Sequence, residues 1–321
     1  MKLKLAFIAQ PEYFRSMYHN VLFDKKWNAQ EFTFNYQMKE SEFSKLVKYD
    51  ADYNFFFRGE YIPDEIIKSL KGKTIFFSSE PFPRKINQRW VYTKDSFKRY
   101  MLFRNNIRNK SFDYVFHYDN NSQEIFKHDG IQLSGECIFP ISIVNEKTAY
   151  NKKKWDIFFL GRSSPHREKL FGELKHKYKF LHIAHGISDI SEINNYISQS
   201  KICINAHSEN EIQFEPRMQL LLAGKAFVLS EKLLFNKFIK PGTDYIEFID
   251  KQDLHDKFVY YLDHPIEREK IANHGYKVIK KHYNCNNYFE DIITGINNNK
   301  FPRFSTSKPS TTLNILDKVI I

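Results

Sequence analysis

The stretch from Ser200 to Glu231 has the sequence SKICINAHSENEIQFEPRMQLLLAGKAFVLSE. It predicts a short buried strand, a polar loop from His207 to Phe214, a short helix and a second buried strand. Pro216 suits the first position of that helix, and Gly224 suits a helix end with positive φ. Such a unit belongs to a parallel α/β sheet, and the N–H groups that open its helix favour an anion at the carboxyl edge of the sheet.

Short apolar runs alternate with amphipathic stretches along most of the chain, which is typical of parallel α/β layers. Five strands are predicted in each half, with the charged stretch Asn145–Lys154 as the linker and a long helix over Ile271–Ile296. The predicted strands are Lys2–Ile8, Tyr53–Phe57, Thr74–Ser78, Tyr114–His117 and Glu136–Phe139, then Asp156–Leu160, Phe180–Ala184, Ile202–Asn205, Ala226–Leu229 and Tyr245–Phe248.

Composition agrees with two domains that each have a core, because 42% of the 321 residues are hydrophobic and 17% are aromatic. The three cysteines, Cys137, Cys203 and Cys285, form no CxxC pair. This spacing predicts reduced thiols and a cytoplasmic chain, and it argues against a disulfide framework or a cysteine-based zinc site. No apolar run reaches the length of a signal peptide or a membrane span, so any membrane contact is expected to be peripheral, at the inner face.

A first candidate site is the turn Gly161–Arg167, with the sequence GRSSPHR, directly after a predicted strand. Ser164 and Pro165 are a helix-start signal, so backbone N–H groups are expected beside Arg162 and Arg167. Paired cations and helix N–H groups are what a departing diphosphate requires. A capped surface helix with two solvated arginines is the alternative interpretation.

A second candidate is Glu80, which follows the predicted strand Thr74–Ser78 and precedes two prolines. At the carboxyl edge of a sheet, such a carboxylate can take the proton of an acceptor hydroxyl during transfer. It can instead cap the turn or pair with Arg84. Four other residues after strands are alternative bases: Glu12, Glu60, His117 and Asp119.

A third candidate is a basic block from Pro81 to Lys110, where nine lysines and arginines face a single acid, Asp95, in a chain of net charge +11. On a helix, Phe97, Tyr100 and Arg104 share one face. The block predicts a surface for an anionic acceptor, with Arg84, Arg99 and Arg104 as its ligands. A solvated amphipathic helix with its aromatics in the core is the other interpretation.

The pattern Glu211-x7-Gln219, with Pro216 before Gln219 and Gly224 after it, resembles the nucleotide-sugar signature of GT-B glycosyltransferases. The resemblance runs from Trp155 to Tyr283 and is greatest to the group 1 branch named for a spore-maturation protein. Around Glu80 the chain also looks similar to the phage DNA β-glucosyltransferases, in which an acidic residue is the base. The family has a second acid where this chain has Gln219, an amide that lacks the charge-assisted bond to a ribose diol.

The resemblance implies an α/β protein with two Rossmann-like, doubly wound parallel-sheet domains that face each other across a cleft. Residues 1–145 would be the acceptor-side domain, 146–296 the nucleotide-sugar domain, and 297–321 a tail that returns to the first, with Ile315–Ile321 docking on the body. It implies donor contacts from a set of residues around the predicted turn and helix. These are Gly161, Arg162, Ser163, Arg167, His185, Glu211, Glu215, Arg217 and Gln219.

The activity so implied is that of a Leloir-type hexosyltransferase, which moves a sugar from a nucleoside diphosphate, UDP by preference, to a cell-surface glycan, glycolipid or protein. Transfer would be metal-independent, with the nucleotide sugar as co-substrate and no other cofactor. Two alternatives remain open: transfer to modified bases of DNA, which the basic block and the pattern at Glu80 favour, and a non-catalytic nucleic-acid- or glycan-binding protein on the same scaffold.

Overall fold

The computed structural model describes residues 2–35, 37, 39–86, 89–143, 153–184, 189–208, 216–233 and 237–309. The chain divides into two compact units. The N-terminal unit comprises Met1–Phe14, His19–Ile138 and Phe289–Ile321, and the C-terminal unit comprises Arg15–Tyr18 and Phe139–Tyr288. The last helix therefore begins in one unit and ends in the other.

The N-terminal unit contains a six-stranded sheet in which all neighbours are parallel. Its strands are β1 (Lys4–Ala9), β2 (Asn28–Thr33), β3 (Tyr53–Phe57), β4 (Lys73–Ser78), β7 (Tyr114–His117) and β9 (Gly135–Glu136), in the order β2-β1-β3-β4-β7-β9. Two small antiparallel pairs accompany it, β5 (Arg84–Ile86) with β6 (Arg89–Val91), and β8 (Ile131–Gln132) with β15 (Ser305–Thr306). The helices are α1 (Pro11–Phe14), α2 (His19–Leu22), α3 (Glu40–Tyr49), α4 (Asp64–Ser69), α5 (Lys94–Ile107) and α6 (Gln123–His128), with 3-10 turns at Gly59–Tyr61 and Asn120–Ser122.

The C-terminal unit contains a five-stranded parallel sheet in the order β11-β10-β12-β13-β14. Its strands are β10 (Trp155–Leu160), β11 (Phe180–Ile183), β12 (Ser200–Asn205), β13 (Val228–Glu231) and β14 (Ile246–Phe248). The helices are α7 (Pro165–Lys177), α8 (Ile190–Ser198), α9 (Arg217–Ala223), α10 (Lys251–Asp263), α11 (Pro265–His282) and the beginning of α12 (Cys285–Asn297), and a 3-10 turn spans Arg15–Met17. Both strand orders are doubly wound, which confirms the predicted α/β fold class with two Rossmann-like parallel-sheet domains.

Central strands of both sheets are buried on both faces, which explains their uninterrupted apolar sequences. All five residues of β3, YNFFF, are buried, and Phe56 packs in a core with Ile8 and Phe76. In the C-terminal unit the equivalent core contains Phe159 and Ile204. The three cysteines are buried and are free thiols.

The helix predicted over Ile271–Ile296 is two helices, α11 and α12. The break occurs because Ile141 takes the backbone groups on either side of Asn284: its N–H donates to the Tyr283 carbonyl (2.7 Å), and its carbonyl accepts from the Cys285 N–H (3.0 Å). These groups are no longer available to a continuous helix.

The predicted positive φ at Gly224 is wrong, since its φ is −79° and the left-handed residue is Lys225, at 59°. Glycine is required at 224 by close packing instead. A Cβ atom there would lie 2.7 Å from Asn194 Oδ1 and 2.8 Å from Ile197 Cδ1 of α8. The helix also begins one residue later than predicted, at Arg217, with Pro216 as its N-cap.

Part of the C-terminal segment packs within the N-terminal unit. Ser305 and Thr306 pair with β8, and the Phe304 N–H donates to the Asp113 carbonyl (3.0 Å). The predicted docking segment Ile315–Ile321 lies outside the described residues. Among the described helices, none combines the length and apolar character that a membrane crossing requires.

Candidate active site

The strand order of the C-terminal sheet reverses between β10 and β12, so the two following loops diverge from this point. Ligands of doubly wound sheets bind in the crevice that such divergence creates at the carboxyl edge. Gly161 follows β10 and Ala206 follows β12, which places the turn Gly161–Arg167 and the residues Ala206 and His207 at the crevice.

Two guanidinium groups converge at this edge, those of Arg167 from α7 and Arg217 from α9. Each lies 5.1 Å from the centre of the Phe159 ring. Both also donate to the Ala206 carbonyl: Arg167 through Nε (3.1 Å) and Nη2 (2.9 Å), and Arg217 through Nη2 (2.5 Å). One aromatic ring and one carbonyl oxygen thus hold two cations side by side.

Further hydrogen bonds fix both guanidiniums in place. Arg167 Nη1 donates to the Arg162 carbonyl (2.8 Å), while Arg217 donates to Asn205 Oδ1 (2.9 Å) and to the Leu160 carbonyl (3.0 Å). These acceptors are neutral and do not cancel the formal charge. Two cations held together in a partly desolvated crevice create a positive potential that suits a phosphate group.

Gly161 is required by the position of Arg217. Its φ of +144° lies in a region that L side chains rarely adopt, and a Cβ atom would lie 2.7 Å from Arg217 Nη1. Both backbone polar groups of Gly161 have partners. Its N–H donates to the Ile183 carbonyl (2.8 Å), and its carbonyl oxygen lies 2.8 Å from His182 Nε2. The turn is therefore shaped around the arginine.

We expect Gly161→Ala to lower the free energy of unfolding by about 1–3 kcal/mol, because it combines an unfavourable φ with a forced shift of Arg217. Gly172→Ala, in the middle of α7, is the matched control. A Cβ atom at Gly172 meets nothing within 4 Å, so alanine there should stabilise by about 0.5–1 kcal/mol through helix propensity. Urea unfolding of both variants measures the difference, and equal effects would contradict the steric account of Gly161.

Glu231, at the end of β13, ties the neighbouring loops together. Its Oε1 lies 2.7 Å from His166 Nε2 on α7, and its Oε2 accepts from the His207 N–H (2.5 Å). Asn205 Nδ2 donates to Ser230 Oγ (2.9 Å), which orients the amide whose oxygen binds Arg217. These contacts support the two guanidiniums from the adjacent strand.

The other predicted donor residues occupy different environments. Ser164 caps α7 by accepting from the Arg167 N–H, as predicted, and Arg162 and Ser163 are exposed, with Ser163 donating to Glu168. Gln219 has no solvent exposure. A carboxylate buried to that degree would require a charged partner, so a neutral amide suits this position. His185, Glu211 and Glu215 lie outside the described residues.

In the N-terminal unit, Glu80 is held between two arginines. Its Oε1 accepts from Arg58 Nη1 and its Oε2 from Arg99 Nη1, and 12% of its side chain is exposed. The partner is therefore not Arg84. A proton taken by Glu80 would compete with both of these bonds.

Arg58 directly follows β3, at the point where the order of the N-terminal sheet reverses between β1 and β3. Its backbone is left-handed, with φ 64°, and its Nε lies 2.7 Å from Glu60 Oε1. Non-glycine residues persist in this conformation where the surroundings fix them, and such positions cluster at functional sites. The polar edge of this sheet is thus built around Arg58.

The alternative bases differ in accessibility: Glu12 is exposed, whereas Glu60, His117 and Asp119 are buried. Burial lowers the pKa of His117 to about 3, so the ring is neutral near pH 7, and its Nδ1 lies 3.1 Å from Ser78 Oγ. Burial also raises the pKa of Asp119, against the opposing effect of Arg84. Among the described residues no group of three His, Cys, Asp or Glu side chains is arranged as a metal site.

Most of the basic block is engaged inside the N-terminal unit. Tyr100 and Phe103 of α5 are buried, as the amphipathic interpretation predicts. Six of the nine cations have internal partners: Arg84 with Asp119 (3.5 Å), Lys85 with Glu124 (2.8 Å), Arg99 with Glu80 and Asp95, Arg104 with Asp129 (2.8 Å), Arg108 with the Asp129 and Ser307 carbonyls, and Lys110 with the Ile62 carbonyl. The exposed cations are Arg89, Lys94 and Lys98.

The roles assigned to the predicted acceptor ligands remain predictions, but the structure separates the residues. Arg84 is 2% exposed, Arg104 has 23% of its side chain exposed, and Arg99 has 41%. Arg99 is therefore the one of the three with substantial access to solvent. The burial of Arg84 and the ion pair of Arg104 with the buried Asp129 favour a structural part for these two residues.

Sequence reasoning missed Phe159, Asn205 and Arg58. Phe159 looks like any apolar strand residue, and its use as a platform for two guanidiniums depends on the fold. Arg58 could have been identified from the sequence, because it follows a predicted strand in the same way as Glu80.

Residues 159–294 match the family model described as glycosyl transferase-like. Most of this range lies in the C-terminal unit, which ends at Tyr288. The matched range includes Phe159, the turn at Gly161 and both converging arginines. A comparison with curated protein sequences finds no match.

Solved glycosyltransferase structures share the fold over nearly the whole chain. An α-glucosyltransferase in complex with UDP and a 13-mer DNA containing an HMU base has a TM-score of 0.63 at 11% identity, and the match covers 92% of this chain and 100% of that one. Sucrose-phosphate synthase from Thermosynechococcus elongatus has a TM-score of 0.58 at 10% identity, covering 93% and 99%. Anabaena HepE in complex with UDP and glucose has 0.55 at 10%, covering 92% and 100%. The resemblance to the spore-maturation branch stays a prediction.

Proposed function

We propose that this chain is a glycosyltransferase that transfers a hexose from a UDP-sugar to a hydroxyl group of an acceptor. The observation that carries the proposal is the pair of guanidiniums, Arg167 and Arg217, held at the switch point of a parallel sheet within the glycosyl transferase-like domain. A diphosphate matches this pair in charge and in its multiple acceptor oxygens. Complexes of matched structures with UDP favour that nucleotide.

On the donor side, Arg167 and Arg217 would stabilise the negative charge that develops on the leaving diphosphate. Arg167 is only 4% exposed, so it would reach the oxygens by exchanging a bond to the Ala206 carbonyl. Arg162 and Ser163, exposed in the preceding turn, are proposed to add contacts to the diphosphate oxygens. Gln219 remains the proposed ribose ligand, although its burial means that a ribose could reach it only after local rearrangement. The roles proposed for His185, Glu211 and Glu215 rest on the sequence resemblance.

On the acceptor side, Glu80 is the proposed general base. Its carboxylate accepts the hydroxyl proton, the acceptor oxygen bonds to the anomeric carbon, and the bond from that carbon to the diphosphate oxygen breaks. The bonding electrons leave with the nucleoside diphosphate, so the step needs no external oxidant or reductant. Arg58 and Arg99 fix the carboxylate before the reaction.

The acceptor is proposed to be anionic, because Arg89, Lys94 and Lys98 are exposed cations within ten residues of chain. Lys94 opens α5 and Lys98 lies one turn later. Cations at a helix N-terminus and like charges four residues apart both disfavour the helix, so helix stability does not account for them. An acceptor that carries phosphate would account for these exposed lysines. Cell-surface glycans, glycolipids and proteins bearing such groups are the first candidates.

A second candidate acceptor is DNA with modified bases. The α-glucosyltransferase that matches this fold was solved with UDP and DNA containing an HMU base. The exposed cations of α5 are compatible with a phosphate backbone. A non-catalytic binding protein on the same scaffold is the remaining alternative.

Release of nucleoside diphosphate from a panel of nucleotide sugars, with and without acceptors, tests the proposal. The wild type should release UDP from at least one UDP-hexose. Arg167→Gln should lower the apparent affinity of the enzyme for that UDP-hexose by about tenfold to a hundredfold, as expected for charge-assisted hydrogen bonds. Lys169→Gln is the matched control, since it removes the same charge from an exposed position on α7. No release from any nucleotide sugar would favour the binding protein.

Acceptor classes are ranked in the same assay. Duplex DNA with hydroxymethylated bases should be glucosylated only if the second candidate is correct. Its apparent affinity should then fall steeply with salt, with a log–log slope near −0.9 per phosphate contacted. A neutral glycan acceptor would show almost no salt dependence.

A further inference from the structure

The two arginines that hold Glu80 differ in how firmly they are fixed. Arg58 has 14% of its side chain exposed and is anchored by Glu60 (2.7 Å), by the Tyr61 hydroxyl (2.7 Å) and by its left-handed backbone. Arg99 has 41% exposed, and its Nε pairs with Asp95 (2.7 Å), which is itself 58% exposed. One partner of Glu80 is built into the sheet edge, and the other lies on the surface of α5.

This difference sets which bond can be exchanged. Moving Arg58 would leave Glu60 buried without its cation, and breaking such a pair is costly. The pair of Arg99 with Asp95 is exposed and contributes little, so the Arg99 side chain can exchange partners more readily than that of Arg58. A phosphate group also competes well with a carboxylate for a guanidinium, because it offers bidentate geometry and a higher charge.

Arg99 also belongs to the helix that presents the exposed cations. Lys98 precedes it directly, and Lys94 lies in the first turn of α5. An anion attracted to these lysines is thus brought to the first two turns of α5, the same part of the helix that carries the guanidinium holding Glu80. The same residue connects an anion-attracting surface to the proposed base.

We propose that Arg99 couples the binding of an anionic acceptor to the release of Glu80, an inference that rests on the proposed glycosyltransferase function. Without acceptor, both carboxylate oxygens are occupied by guanidiniums. When a phosphodiester group of the acceptor binds, Arg99 turns to it and leaves Oε2 able to take the hydroxyl proton, while Arg58 continues to hold Oε1. The coupling limits hydrolysis of the donor by water when no acceptor is present.

The test measures UDP released from the UDP-sugar by water, in the absence of an acceptor and with an end-blocked, unmodified duplex DNA as a phosphodiester probe. The wild type should hydrolyse slowly and accelerate several-fold with the DNA. Arg99→Gln should hydrolyse roughly fivefold faster than wild type without DNA, the change expected when a competing interaction of about 1 kcal/mol is removed. It should no longer respond to the DNA.

Two further variants keep the test decisive. Lys71→Gln removes an equal charge from an 83%-exposed side chain paired with Asp50, and it should match the wild type. Arg99→Lys retains the charge but loses the forked geometry, so its hydrolysis should be intermediate. Arg99→Lys also provides the comparison with the wild type if Arg99→Gln does not fold.

The coupling is overturned if the wild type transfers sugar but its hydrolysis ignores the DNA, or if the Arg99 variants hydrolyse at the wild-type rate. If the wild type neither hydrolyses nor transfers any nucleotide sugar, the proposed function itself fails and the coupling falls with it. Failure of the coupling and failure of the proposed function are distinguishable, because the wild type shows turnover in the first case and none in the second.

Discussion

Glu80→Gln is expected to slow sugar transfer by roughly 10²–10⁴-fold, the usual consequence of losing a general base. The amide is nearly isosteric but cannot accept the hydroxyl proton. Affinity for the nucleotide should change little, because the proposed donor contacts lie in the C-terminal unit. Single-turnover rates over a range of UDP-sugar concentrations separate these two quantities, because the limiting rate reports transfer and the half-saturating concentration reports affinity.

The matched control is Glu124→Gln, which makes the same substitution in an exposed pair with Lys85. Its side chain is 56% exposed, so both stability and turnover should stay close to wild type. Glu80→Gln also places an amide N–H group against one of two guanidiniums, so a modest fall in melting temperature is expected. Unchanged turnover in Glu80→Gln would remove Glu80 from the mechanism and direct attention to the exposed Glu12.

Asp129→Ala should destabilise the N-terminal unit by about 3 kcal/mol, the lower end of the range for breaking a buried ion pair. Asp129 has no solvent exposure, forms an ion pair with Arg104 Nε (2.8 Å) and accepts a hydrogen bond from the Tyr100 hydroxyl. Burial and the adjacent carboxylate raise the pKa of Tyr100, so its phenol stays a neutral donor. We expect the lower end of this range because the Arg104 side chain is 23% exposed, so water can solvate its charge once Asp129 is removed.

Calorimetry or thermal circular dichroism measures this effect, which corresponds to a fall of about 6–12 °C in melting temperature. Lys71→Ala, which removes the exposed pair with Asp50, should change stability by less than about 1 kcal/mol. A loss of acceptor affinity in Asp129→Ala without any loss of stability would contradict the structural part assigned to Arg104.

The fold was largely predictable because the central strands are buried on both faces and therefore form uninterrupted apolar runs. The strands Tyr53–Phe57 and Tyr114–His117 were predicted with the bounds that the structure has. The strand Asn28–Thr33 was missed. It lies at the edge of its sheet and alternates between exposed and covered residues, so its sequence NAQEFT contains no apolar run.

The site was predictable only where its residues follow strands in the sequence. Arg167 was identified from the turn after β10, but its meeting with Arg217 on Phe159 depends on how α9 packs beside β10 and β12. The internal partners of the cations in the basic block could not be predicted from the sequence either. Asp119 and Asp129 are distant in sequence from Arg84 and Arg104, and a charge pattern alone does not distinguish a buried arginine from a solvated one.

The most direct test of the account is a structure of the full chain with UDP bound. The account predicts the diphosphate against the turn Gly161–Arg167, with Arg167 and Arg217 in contact with its oxygens and the ribose directed towards Gln219. UDP bound away from the carboxyl edge of the C-terminal sheet, with both guanidiniums still on the Ala206 carbonyl, would contradict it.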